Sequence, residues 1–298
     1  MLMKRPSDFL LIEKINQCPQ LASLKSINDT LRELLDSDDS FVGQIAEIIR
    51  LDPSLTTRVL DLVNSIFFGS KETDRISGVE EASIFLGLNR IKDLIAATPV
   101  IEEIFKLGKE SSSFPWVDFW KHSIGTAMLT REILSFAEEE FDQEADYIAG
   151  LLHNLGILIL AITFPEHFNE VYKNKYDSYP DLLDYEKKLV GWDHGKIGAY
   201  YLWNHHISEE VVDSIHWHNQ PSLAQVNPKL ASAIQVADHI LHQLGSHGME
   251  RYPPSSNDGY LQVEGWTILF GDHPERDIIK EKLESSLDRL SQTLNGVL

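Results

Sequence analysis

One stretch, YIAGLLHNLGILILAI from Tyr147 to Ile162, constrains the fold of this chain more than any other. Wound as a helix it is apolar on every side, and a soluble helix of that kind lies at the centre of a larger packed body. The stretch is shorter than the eighteen or so apolar residues a membrane span requires, and no other segment reaches that length. It also carries His153 and Asn154. Buried polar side chains cost a few kcal/mol unless they are partnered, so other side chains, water or a metal ion must satisfy these two.

The rest of the chain agrees with a helical body. Hydrophobic spacing is helical nearly everywhere, and no segment shows the alternation of a strand or a hairpin. Asp52-Pro53 reads as an N-cap followed by proline at the first helical position, and Ser77 with Glu80 reads as a capping box. Asn227-Pro228 opens a helix whose apolar positions are Leu230, Ile234, Ala237, Leu241 and Leu244, with Gly245 closing it. The expected fold is all-α, a multi-helical bundle.

Three regions are expected. Residues 1–108 form an N-terminal helical subdomain, with helices over 8–17, 27–36, 41–51, 53–66 and 79–85 and another from 90. A small polar stretch at 108–113 reads as a joint. Residues 114–245 form the main helical domain. Residues 246–298 form a loop and an amphipathic helix, with Ile279, Leu283, Leu287, Leu290 and Leu294 on the face that packs on the domain.

Charge excludes some functions. The chain has 46 acidic and 26 basic side chains, a formal net charge of -20. Such a surface repels phosphate backbones and anionic lipid, so neither nucleic acid nor membrane is expected as a partner. Residues 81–93 superficially resemble a helix-turn-helix, but Arg90 and Lys92 are the only cations of its second helix, and an ordinary helical corner fits better. The single cysteine, Cys18, can form no internal disulfide, and the charged residues 1–8 have no signal-peptide core behind them. A cytoplasmic location is expected.

Polar residues on other apolar faces join His153 and Asn154. His122 lies in WVDFWKHSIGTAML, His194 opens DHGKIGAYYLW, His218 follows Val211 and Ile215 at helical spacing, and Asp238 borders Ile234. Histidines and a carboxylate from several helices of a bundle are a recurrent recipe for a metal site. Singly, each suits a structural hydrogen bond better than a metal, and only their order along the chain favours a site. His205-His206 and the pair His239 and His242 suit solvated or capping roles.

The order of these residues resembles the His … His-Asp … Asp pattern of HD-type metal phosphohydrolases. Over about residues 10 to 245 the chain resembles the HDOD proteins, output-domain relatives of those hydrolases. The marks are Pro19, Asp52-Pro53-Ser54-Leu55, Asn64-Ser65, Leu86-Gly87-Leu88, Trp120 with His122, and Gly150-Leu151-Leu152-His153-Asn154-Leu155-Gly156. Asp193-His194 with Gly198, Trp203 and His218-Asn219-Gln220-Pro221 complete them. The resemblance implies metal-ligand positions at His122, His153, His194, His218 and Asp238.

Three departures qualify it. The aspartate of the doublet is Asn154, the second of two adjacent histidines is Asn219, and the catalytic lysine of the related HD-GYP phosphodiesterases falls on Ile157. A neutral amide bridges two cations poorly, and two-metal hydrolysis needs both ions. The expectation is therefore a non-catalytic bacterial signal-transduction module that binds a protein partner or a small ligand, compatible with a homodimer. It needs no cofactor, or at most one divalent ion of iron, manganese or zinc. The competing reading is a metal-dependent phosphohydrolase acting on a nucleotide or cyclic dinucleotide.

Overall fold

The structure is a computed structural model that describes residues 4–18, 116–137, 145–204, 207–246 and 259–285, together with positions 46, 49, 59, 79 and 82–84. All regular structure among these residues is helical, as expected, and no strand occurs among them. The chain divides into two compact units, one built on Met1–Cys18 and Ser113–Leu294 and the other on Pro19–Ser112.

In the smaller unit, Ala46, Ile49, Val59, Val79 and Ala82 are buried helical positions, and the Ser83 hydroxyl donates to the Val79 carbonyl at 2.7 Å. The other expected helical residues of this region, its two caps and the joint at 108–113 lie outside the described residues.

The larger unit opens with α1 (Asp8–Asn16). Ser7 caps it by accepting from the Leu10 amide, and Leu11 and Ile15 face inward. The division at residue 108 leaves this helix with the first region, but in the structure it packs on helices of the larger unit. Then come α2 (Trp116–Phe136), α3 (Ala145–Leu152), α4 (Leu155–Thr163), α5 (Pro165–Tyr172), α6 (Tyr179–Leu189), α7 (His194–Asn204), α8 (Glu209–Trp217), α9 (Pro228–Gln243) and α10 (Glu264–Phe270). A further helix starts at residue 276 and runs to the last described residue, 285, with Ile279 and Leu283 buried. The other apolar positions expected on this helix lie outside the described residues.

α9 is the hub, packed by α2, α8 and α10. Its start follows the sequence signal, since the Asn227 side chain accepts from the Leu230 amide at 2.9 Å and Pro228 needs no amide partner. Gly245, at φ +85°, supplies the left-handed residue that ends it. Leu230, Ile234, Ala237 and Leu241 are buried; Leu244 is exposed, because it already belongs to the cap. The α2–α3 pair is tied by Arg131, whose guanidinium donates twice to the Asp146 carboxylate at 3.1 Å. No helix among the described residues is long and apolar enough to cross a membrane.

The central apolar stretch is not one helix. It is broken at His153–Asn154 into α3 and α4. The His153 Nδ1–H donates to the Gly150 carbonyl at 2.7 Å, a local bond that competes with the helical ladder, and the Asn154 carbonyl starts α4 by accepting from the Ile157 amide at 3.0 Å. Leu155 to Leu160 after the break are all buried.

Candidate metal centre

Four helices, α2, α7, α8 and α9, meet at the α3–α4 turn, and small residues let α3 approach α2 and α4 approach α7 closely. A Cβ on Gly150 would lie 2.7 Å from the Ala127 Cα of α2, and one on Gly156 would lie 1.8 Å from the His194 carbonyl oxygen of α7. These contacts bring His122 on α2, His153 in the turn and His194 on α7 into one buried region, with Asp238 from α9 and His218 from the end of α8. The rings form a file, with centroids 5.2 Å apart for His122–His153, 5.5 Å for His153–His218 and 5.4 Å for His218–His194.

Their hydrogen bonds fix the tautomers. A carbonyl oxygen only accepts, so the ring nitrogen facing it carries the proton. His122 Nδ1 donates to the Ser246 carbonyl, His153 Nδ1 to that of Gly150 and His218 Nδ1 to that of Ile215, each at 2.7 Å. His194 Nδ1 faces the Glu186 carboxylate at 2.9 and 3.1 Å and donates to it. Nε2 is thereby left as the inward-facing nitrogen of each ring, and in the neutral form it offers a lone pair, the arrangement in which an outer hydrogen bond orients a metal-binding histidine.

His122, His153 and Asp238 converge most closely. His122 Nε2 lies 3.0 Å from Asp238 Oδ1 and 3.3 Å from His153 Nε2, and His153 Nε2 lies 3.8 Å from Asp238 Oδ1. Burial pushes His153 below its ordinary pKa, against the pull of Asp238. Burial alone would raise Asp238; the adjoining His122 and His153 outweigh it and hold this carboxyl well below its usual range. Without an ion, a proton on His122 Nε2 can bridge to Asp238 Oδ1; once that proton leaves, the same atoms offer two nitrogen lone pairs and a carboxylate. A single extra proton bridges one of these contacts well and leaves the others unbridged. One cation suits all three, because donors about 2.1 Å from a common ion stand roughly 3.0 to 3.4 Å apart, as two of these pairs do, and the 3.8 Å pair has only to close by a few tenths of an ångström or subtend a wider angle. The residues present fit one divalent ion, and iron, manganese or zinc all accept such an N,N,O set.

The other expected site residues lie around this triad. His218 is fully buried, its Nε2 has no hydrogen-bond partner among the described residues, and burial beside His194 and His153 pushes its pKa down to about 3. Among the described residues, buried Asn154 has no partner for its side-chain oxygen, and Asn219 has none for either side-chain polar atom. Ile157 is fully buried. His239 donates to the Gln235 carbonyl at 2.9 Å, and His242 is buried. His205 and His206 lie outside the described residues.

Several participants escaped the sequence reading. Glu186 is fully buried, accepts from the His194 amide at 3.0 Å and from the Tyr172 hydroxyl, and so anchors His194. Its spacing from Tyr179, Leu182 and Leu183 on one helical face was the available signal. Gln235 accepts from the Gly265 amide at 2.7 Å and donates to the Asn219 carbonyl at 3.0 Å, joining α10 to the corner that carries His218.

A sequence profile of the HDOD domain matches residues 21–221. This chain belongs to the HDOD domain family. The fold is likewise that of a crystal structure of an HDOD domain protein from Geobacter sulfurreducens, with a TM-score of 0.72 at 20% identity, covering 97% of each chain. A protein of Marinobacter aquaeolei named provisionally for signal transduction is similar over all of this chain and 61% of its own, with a TM-score of 0.64 at 20% identity. A protein of Treponema pallidum is 27% identical over 252 residues, 82% of this chain and 46% of that protein. The HDOD chain thus spans about half the length of the curated relative it matches.

Proposed function

We propose that this HDOD chain is a regulatory module of bacterial signal transduction that holds a single divalent ion at His122, His153 and Asp238 and does not hydrolyse phosphoesters. The observation that carries the reading is the neutral, buried Asn154 beside His153, with Ile157 enclosed one turn on. An amide there leaves the triad, among the described residues, one carboxylate, Asp238, which balances one cation and not two. No lysine or other cation stands at Ile157 to meet a substrate phosphate.

When bound, the ion would supply positive charge and Lewis acidity. Asp238 neutralises part of that charge, and the carbonyls of Ser246 and Gly150 keep the imidazoles of His122 and His153 in the ligating tautomer. The centre then joins α2, the α3–α4 turn and α9 at one point, which suits a structural or sensing role. The acidic surface favours a protein partner or small ligand over nucleic acid, and the single cysteine suits the cytoplasm.

The test is metal analysis of the full chain loaded separately with iron, manganese and zinc, combined with phosphodiesterase assays on bis(p-nitrophenyl) phosphate and a cyclic dinucleotide. One ion per chain, lost in His153→Ala, with no turnover, is expected. Two ions per chain with turnover that His153→Ala abolishes would establish a phosphohydrolase instead.

A further inference from the structure

His194 is held differently from the other three histidines of the file. Its Nδ1–H donates to the Glu186 carboxylate, and its Nε2 lies 3.3 Å from the Tyr179 hydroxyl, which donates to it when the imidazole is neutral. Tyr179 and Glu186 stand seven residues apart on α6, two turns along one face, so a single helix engages both nitrogens of the imidazole. The grip is rigid. Glu186 also receives the Tyr172 hydroxyl and the His194 amide, and the Tyr179 ring stands edge-on to His239 with centroids 5.7 Å apart. His194 and Glu186 are fully buried and Tyr179 is 6% exposed.

His218 is the contrasting case, because its buried Nε2, between His153 and His194, has no hydrogen-bond partner among the described residues. A second ion next to the triad would draw on His218 and on the His194 lone pair. In this chain that lone pair is already engaged by a phenol.

We propose that Tyr179 is a positioning residue that fixes the ion count at one, by engaging His194 Nε2 and withholding it from a second cation. This rests on the reading of the triad as a one-ion site. Asn154 and Tyr179 then act together: the amide removes the bridging charge and the phenol removes a nitrogen donor. Restoring the charge alone leaves the second position short of a ligand.

The experiment compares wild type, Asn154→Asp, Tyr179→Phe and the double variant, all as the full chain. Phenylalanine keeps the ring against His239 and removes only the hydroxyl. Titration with manganese or zinc, read by calorimetry and by bound metal per chain, is expected to give one ion in wild type and in Asn154→Asp. In the double variant a second ion should bind at least tenfold more tightly than in Asn154→Asp. In metal-free protein the 15N resonance of His194 Nε2 should move downfield in Tyr179→Phe, as its lone pair loses a donor. Three results would overturn the proposal: equal second-ion affinity in Asn154→Asp and the double variant, no second ion in the double variant, or an unmoved His194 resonance. A wild type with two ions and a Tyr179→Phe with one would make the phenol a ligand and overturn it as well. A wild type that binds no ion counts instead against the one-ion reading, and the metal-free resonance still decides the role of Tyr179.

Discussion

Replacing Gly156 by alanine tests how the site is assembled. The new methyl carbon would stand 1.8 Å from the His194 carbonyl oxygen, 2.7 Å from its carbonyl carbon and 2.8 Å from the Gly198 nitrogen. All three are backbone atoms, so no side chain can rotate aside. A carbon and an oxygen in ordinary contact stand roughly 3.3 Å apart, and α4 and α7 must separate by more than an ångström to restore that distance. Overpacking of this kind costs about 3 kcal/mol or more when the backbone has to move. Alanine in place of glycine returns up to about 1 kcal/mol in helix propensity. The net loss is at least about 2 kcal/mol, a fall in Tm of about 4–8 °C for a unit of this size. Gly198→Ala is the control, since its methyl meets the Gly156 nitrogen at 3.0 Å and nothing else closer than 3.6 Å. It should cost about 1 kcal/mol or less. Urea denaturation followed by tryptophan fluorescence compares the two. A Gly156→Ala protein as stable as wild type, or less damaged than Gly198→Ala, would refute the close crossing of α4 and α7.

Two other outcomes are expected. His218 has its pKa pushed down to about 3 by burial, whereas a free histidine titrates near ~6.5, so below that pH the unfolded chain binds a proton that the folded chain refuses. Its contribution to stability is full above pH ~6.5 and is lost progressively as pH falls toward 3, at about 1.4 kcal/mol per pH unit; denaturation of metal-free His218→Gln between pH 6 and 4 should show a slope smaller by that amount. Gln235→Leu leaves the Gly265 amide and the Asn219 carbonyl without their partner, which should cost about 2 kcal/mol and speed hydrogen exchange at Gly265; unchanged exchange there would show that the bridge does not hold α10 in place.

Much of the fold was legible because helices announce themselves locally. Ser7 before α1, Asn227-Pro228 before α9 and Gly245 after it act through hydrogen bonds and dihedral preferences that span four residues or fewer. The apolar run at 147–162 was rightly placed in the core, but its continuity was not, because an imidazole that bonds the carbonyl three residues back ends α3 where hydrophobicity alone would continue it. The departures at Asn154, Asn219 and Ile157 were likewise visible, since charge and size belong to the residue itself.

The sequence by itself determined an all-helical body in which spacing turns His153 and His218 inward and sets His122 and Asp238 at the edge of apolar faces, while the grouping of these four with His194 came from the resemblance to HD-type hydrolases. Only the tertiary structure decided that three of them share a point while His194 is gripped on both nitrogens by Tyr179 and Glu186. Which lone pairs meet depends on distances between helices far apart in the chain, and those are set by how closely Gly150 and Gly156 let the backbones pack.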